Sequence, residues 1–183
     1  LVEVGGRPMV ARVLRALAAS QVDRVVAVAS PDAPATRRAL REGLAADIDV
    51  QCTVLDGSGD GYVADLDVGL AAVDGPAVSV AADLPLLSGR DIDDAITAAV
   101  DADPAAADSA VDSVAVCVPA AVKRGLGVSV DAAFDHGDQT VAPSGVNVVG
   151  DGSDRAVVRE RASLAVNVNR PSDLAVARRL AGE

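Results

Sequence analysis

The chain has 183 residues, half of them hydrophobic, with a formal net charge of -11 and Lys123 as its one lysine. That length and apolar content suit one domain with a sizeable core. Scarce aromatic rings and the lack of a basic run leave no platform for stacking bases and no way to neutralise successive phosphates, which excludes nucleic acid as a partner.

Leu1 to Met9 reads as a short extended segment and turn, with Pro8 suited to the first position of a helix. Met9, Val10, Val13, Leu14 and Leu17 recur at helical spacing, so this helix covers a sheet. Asp23 to Ala29 is a buried strand. Ser30-Pro-Asp-Ala-Pro34 turns into a second helix ending near Asp47, and Ile48 to Leu55 is the next strand. Asp56-Gly-Ser-Gly-Asp-Gly-Tyr62 is a glycine-dense loop running into a helix with Val63, Leu66, Leu70 and Val73 on its apolar face. Backbone N–H groups in such a loop can approach a ligand, and a helix start favours an anion, although a tight connection needs the same residues. The loop lacks the Gly-Lys-Ser/Thr ending of a P-loop.

Pro76 to Ala82 is an apolar run that reads as a strand buried on both faces, and it ends in Asp83-Leu-Pro85. That places Asp83 at the carboxyl edge of a parallel sheet, where open α/β folds keep their ligands. Asp83 is therefore either a helix cap or a ligand for Mg²⁺, a hard cation content with one or two protein oxygens. Ser88 and Asp91 form a capping pair for a helix carrying Ile92, Ile96 and Val100. Alternating strands and helices to this point predict a sheet wrapped on both faces.

From Asp101 to Asp112 the chain reads as a solvated connection, and Asp112 to Val118 as a strand. Pro119 to Gln139 reads as loop, with Lys123, Arg124 and the one histidine, His136, as solvated surface groups. Val141 to Val149 is a strand in which Gly145 marks either a bulge or a close backbone approach. Leu164 to Asn169 reads as a strand with Asn167 and Asn169 on one side, and Pro171 opens the closing helix. Cys52 and Cys117 have neither C-x-x-C partners nor neighbouring histidines, which predicts free thiols, no zinc site and a reducing cytoplasm. No apolar run reaches membrane-spanning length, and no signal peptide is visible.

Three motifs in order, Val2-Glu-Val-Gly-Gly-Arg-Pro-Met9, Ala82-Asp83-Leu-Pro-Leu86 and Asn167-Val-Asn-Arg-Pro-Ser-Asp-Leu174, resemble the nucleotidyltransferase family that includes the molybdenum cofactor guanylyltransferases. Within it, Ser30 to Thr36, Asp56 to Leu66 and Pro143 to Val149 are similar to the archaeal GTP:adenosylcobinamide-phosphate guanylyltransferases. The resemblance covers nearly the whole chain as one nucleotidyltransferase domain, residues 1–183. It implies a Rossmann-like three-layer α/β/α fold with a mostly parallel sheet. It also implies transfer of GMP from GTP to adenosylcobinamide phosphate in the cytoplasm, without a covalent enzyme intermediate. Mg²⁺ would be held by Asp83 and by Asn167 or Asn169. Asp56, Gly57, Gly61, Tyr62, Asp65 and Gly145 would border the nucleoside, with Asp56 or Asp65 accepting from guanine N1–H and N2–H. A homodimer is among the assemblies it allows.

Two departures stand out. The family opens with a strand and a Gly-Gly-x-Gly-Thr-Arg loop, for which this sequence shows no counterpart. On that ground the chain is expected to be N-terminally truncated, to have little activity, and to leave a gap between the strands containing Val26 and Val80. Arg170 stands where relatives often carry Thr, a weaker cap that Asp173 in the first turn partly offsets. The alternatives are a molybdenum cofactor guanylyltransferase, which usually shows Gly-Pro-Leu in place of Gly61-Tyr62-Val63, a nucleotide-binding module without catalysis, and a phosphoacceptor receiver domain.

Overall fold

The computed structural model describes residues 1–100 and 110–183. The chain opens with a two-stranded hairpin, β1 (Glu3–Val4) and β2 (Arg7–Pro8), leading into α1 (Met9–Ala18). β3 (Arg24–Ala29), α2 (Pro34–Ala39) and β4 (Gln51–Asp56) follow, with one wide helical turn over Leu40–Leu44 closing α2. Next come α3 (Tyr62–Leu70), β5 (Ala77–Val80) and α4 (Gly89–Val100). The remainder is β6 (Ser113–Pro119), α5 (Ala120–Leu126), β7 (Phe134–His136), β8 (Gln139–Val149), β9 (Asp154–Val158), α6 (Ala162–Ala165) and α7 (Pro171–Leu180).

The architecture is α/β. In the larger sheet the order is β5-β8-β6-β9, with β7 on the free part of β8. Strands β5, β6, β7 and β9 share one direction and β8 alone opposes them. β3 and β4 pair in parallel as a separate sheet. Between β3 and β5 lies a cleft of about 810 Å³, walled by Val26 and Val28 on one side and Val78 and Val80 on the other. No strand joins the two edges among the described residues.

α1 ties the two sheets together because its apolar stripe is wide enough to face both. Val13 and Ala16 enter the core formed by Val114, Val116, Val146 and Val148 under α4, while Leu14 packs with Val25, Ala29 and Leu40 on the smaller sheet. A third cluster joins Val4, Val166, Val176 and Ala177, docking α7 on the N-terminal hairpin. α4 starts where the capping pair predicts. Asp91 Oδ2 accepts from the Ser88 N–H at 3.0 Å and from its hydroxyl at 2.5 Å.

Two expectations are corrected, and one strand is added. Pro119 to Gln139 is not a loop throughout, since it contains α5 and β7; Ala120, Val122 and Leu126 give α5 an apolar face, and a short run hides that periodicity. Leu164 to Asn169 is not a strand: α6 takes its start, and the rest runs beside the Asp83 turn through one bond, Val168 N–H to the Asp83 carbonyl at 2.9 Å. β9, Asp-Arg-Ala-Val-Val, has no apolar alternation to announce it, and its pairing with β6 defines it. Of the connection read over residues 101–112, the part up to residue 109 lies outside the described residues.

Candidate functional site

Asp83 is set by the end of β5. The chain leaves the sheet through the Ala81 N–H, which donates to the Gly145 carbonyl at 2.9 Å. Leu84 is fully buried and anchors the turn, and Arg12 Nε from α1 clamps its far side by donating to the Pro85 carbonyl at 2.5 Å. The carboxylate thus sits on a backbone held by three elements. Its Oδ1 is buried and lacks any hydrogen-bond partner.

That orphan oxygen has an electrostatic signature. Burial pushes the Asp83 carboxyl above its ordinary value, against the opposing pulls of the Asn167 amide, its own backbone N–H and the Lys123 charge. Tyr62, at the first turn of α3, is raised by burial and by the nearby Asp83 charge, which places the phenol in the same electrostatic neighbourhood.

Asn167 is locked between a donor and an acceptor. Its Nδ2 donates to the Ser144 carbonyl at 2.7 Å, and its Oδ1 accepts from Lys123 Nζ at 2.8 Å. An ammonium can only donate and a carbonyl can only accept, so the amide orientation follows from its neighbours. Lys123 Nζ also donates to the Ala165 carbonyl at 2.9 Å. Lys123 is 4% exposed. This corrects its reading as a solvated surface charge. Burial lowers its pKa, and the charges of Asp83, Asp173 and Asp131 oppose that shift.

Gly145 belongs to a bulge. Val116 faces Val146, and Cys117 faces Pro143, so Ser144 and Gly145 are extra residues in β8. Gly145 has φ +89°, and a Cβ there would lie 3.0 Å from Ala81 Cβ and 3.3 Å from Asn167 Nδ2. Gly145→Ala is expected to cost about 2 kcal/mol through strain at positive φ. In a thermal melt this is a fall of roughly 4–8 °C for a chain of this size.

The glycine-dense loop closes on itself. Asp65 Oδ1 accepts from Ser58 Oγ at 3.0 Å and from the Gly59 N–H at 3.2 Å, and a Cβ on Gly57 would lie 2.5 Å from that carboxylate. Gly61 (φ +104°) supplies the bend into α3. Asp56, at the end of β4, pairs with Arg41 at 2.8 Å and Arg37 at 3.5 Å.

The cleft between the sheets therefore brings together Gly61, Tyr62 and Asp65 with Ala81 and Ala82, the residues leading to Asp83. Asp56, Gly57, Asp83, Gly145, Asn167 and Asn169 do not line it, and Gly145 lies close against Asn167. The two asparagines diverge. Asn167 turns inward, whereas Asn169 is exposed and donates through Nδ2 to Asp131 Oδ2 at 3.3 Å. His136 is exposed on β7, far along the hairpin from these groups in sequence and pairing.

The donor set suits a hard divalent cation that keeps most of its shell for water and phosphate oxygens. No group of three His, Cys, Asp or Glu side chains converges among the described residues, so an all-protein cage is not formed, while Asp83 Oδ1 offers one unpaired anionic oxygen. For Lys123, which the family resemblance offered with Arg124 only as a candidate cation for the corrinoid phosphate, sequence reasoning missed the burial and the contact with Asn167. The one signal available was its singularity in a chain whose other cations are arginines.

Residues 1–144 match the family described as MobA-like NTP transferase domain. Among solved structures, the chain is similar to a hypothetical transferase from Thermus thermophilus, at 20% identity and a TM-score of 0.63, over 95% of this chain and 89% of that one. It is also similar to 4-diphosphocytidyl-2C-methyl-D-erythritol synthase from Anaerococcus prevotii, at 13% identity and a TM-score of 0.66, over 98% of this chain and 91% of that one. Both likenesses establish a shared Rossmann-like α/β fold. No curated protein matches the sequence. No helix among the described residues is long and apolar enough to cross a membrane.

Proposed function

The chain belongs to the MobA-like NTP transferase domain family, and from that premise we propose that it transfers GMP from GTP to adenosylcobinamide phosphate. The acceptor phosphate oxygen forms a bond to the α-phosphorus of GTP, the bond from that phosphorus to the β-phosphate oxygen breaks, and pyrophosphate leaves with the electron pair. The observation that supports nucleotidyl transfer at this site is Asp83, a half-buried carboxylate in the turn after β5 with one buried, unpartnered oxygen. The guanine and corrinoid parts of the reading rest on the ordered resemblance of Asp56 to Leu66 and Pro143 to Val149.

Asp83 would hold Mg²⁺, with Asn167 or Asn169 as the amide ligand. Once bound, the metal would neutralise charge on the transferring phosphate. The chain's own groups position the reactants. The start of α3, entered through Gly61, favours an anionic or polar group in the cleft, while the Gly59 N–H is already held by Asp65. Asp65 is better placed than Asp56 to meet guanine N1–H and N2–H, since it lines the cleft and Asp56 does not; its Oδ1 is held by Ser58 and Gly59, which leaves Oδ2 for the base. Asn167 reaches metal only by exchanging its Lys123 contact, whereas Asn169 is exposed and would give up only a long bond to Asp131. Free Cys52 and Cys117 fit a cytoplasmic location.

Pyrophosphate release by the intact gene product with Mg²⁺ tests the reading. GTP with adenosylcobinamide phosphate is expected to exceed CTP by at least about tenfold. Release with GTP and a molybdenum pterin acceptor instead would assign the pterin substrate. Preference for CTP would move the site toward the chemistry named for the Anaerococcus protein. Nucleotide binding without pyrophosphate release under any pairing would make the chain a binding module.

A further inference from the structure

Lys123 is more than a filler of the core. A buried ammonium is costly unless acceptors and a counter-charge surround it, and a chain that uses arginine for every other cation keeps its one lysine here. Two of its donors are taken by the Ala165 carbonyl and Asn167 Oδ1. Its backbone is equally fixed. The Val128 N–H donates to the Lys123 carbonyl at 3.0 Å, closing α5 over Gly127 (φ +80°). The result is a rigid positive charge that grips the amide standing between it and Asp83.

We propose that Lys123 is a positioning residue that fixes Asn167 and occupies, as a resident cation, the charge environment of Asp83 into which a divalent metal comes. This rests on the reading of Asp83 as the metal-binding carboxylate. Two consequences follow from the geometry. The ammonium opposes a bare divalent cation at Asp83, so the site discriminates in favour of metal that arrives with phosphate charge. The same ammonium keeps the Asn167 oxygen turned away from Asp83 and its NH2 on Ser144, so the β8 bulge, Asn167 and the Asp83 turn stay in register.

The test is Mn²⁺ binding to the nucleotide-free protein, read by water-proton relaxation, in wild type, Lys123→Met, Lys123→Gln and Asp83→Asn. Met keeps the length and apolar stem of lysine, and Gln keeps a donor for Asn167 without the charge. Both are expected to tighten Mn²⁺ binding about tenfold, the size of one unit charge acting on a divalent ion in a partly wet site. The gain should vanish when either is combined with Asp83→Asn. In turnover, Gln should lose less kcat than Met, because only Met releases the Asn167 amide. Mn²⁺ binding that depends on Asp83 but is unmoved in both Lys123 variants overturns the role of Lys123 and leaves the metal reading standing. Mn²⁺ binding indifferent to Asp83→Asn overturns both. Should Met prevent folding, the Gln variant alone decides between these outcomes.

Discussion

Asp83→Asn is expected to abolish nucleotidyl transfer while raising the melting temperature. On the proposed metal-holding role of Asp83, the rate falls because the substitution removes its unpartnered carboxylate oxygen. Loss of such charge organisation around a transferring phosphate costs about a thousandfold or more. Stability moves the other way because Oδ1 is buried without a partner. The sign follows from linkage. Burial raises the folded-state pKa of Asp83, so the folded protein holds that proton more tightly than the unfolded chain does. The stability contributed by the neutral acid is fully present below the unfolded carboxyl value and is lost as pH rises through the raised folded value. At neutral pH the ionised group therefore destabilises the fold, and a neutral Asn relieves roughly 1 kcal/mol of that cost. This net direction already includes the favourable pull of Lys123. A melt at neutral pH should show a gain of about 2–4 °C, shrinking on acidification as wild-type Asp83 itself becomes neutral. A lower melting temperature for the variant at neutral pH would mean that Asp83 is kept as the structural partner of Lys123 rather than as a strained ligand.

Asp173→Asn is expected to be the most destabilising conservative change in the described residues. The side chain is fully buried and accepts four hydrogen bonds. Ser129 gives two, N–H and Oγ, each at 2.8 Å, and the Arg170 and Asn169 N–H groups lie at 2.9 and 3.2 Å. This carboxylate caps α7, makes good the poor cap at Arg170, and ties the segment after α5 to the segment bearing Asn167 and Asn169. An Asn amide would turn NH2 toward donors and strand at least one of them. Losing charged hydrogen bonds and leaving a buried donor unpaired costs about 3–4 kcal/mol, or roughly 6–16 °C in a melt. Burial alone would raise this carboxyl, but the Ser129, Arg170 and Asn169 donors overcome it and hold the pKa below the ordinary range. A depressed folded pKa contributes stability that is present above the unfolded value and lost as pH falls through the folded one. The gap between wild type and variant should therefore persist at neutral pH and close in acid, below about pH 4. A gap that stays constant to the lowest accessible pH would show that packing, and not the ionised cap, is what Asp173 supplies.

Both residues show how the chain could be read and where reading stopped. Asp83 was legible as the point where an apolar run with Leu-Pro behind it leaves its sheet, but the run itself differs from expectation: β5 is a largely half-buried edge strand paired antiparallel with β8, not a strand buried on both faces of a parallel sheet. Ser88 and Asp91 were legible for the same local reason, since a cap acts on the backbone three residues away. Arg170 and Asp173 showed the weak cap and its remedy, but not that Ser129 would supply half of the hydrogen bonds.

Lys123 was illegible because its burial depends on Ala165 and Asn167, more than forty positions later, and on an α5 too short to declare its period. The divergence of Asn167 and Asn169 was missed because strict alternation holds only in a ladder, and this segment shares one backbone bond with the Asp83 turn. The α/β order, the apolar strands and the carboxylate in the turn after β5 were thus readable from burial pattern and near-neighbour chemistry alone. The gap expected between the strands of Val26 and Val80 is the cleft that separates β3–β4 from β5, but it took the folded chain to show that β8 runs against its neighbours and that a single lysine is folded against the Asp83 site. Those outcomes come from pairing between distant segments, where the energy lies in contacts no local period records.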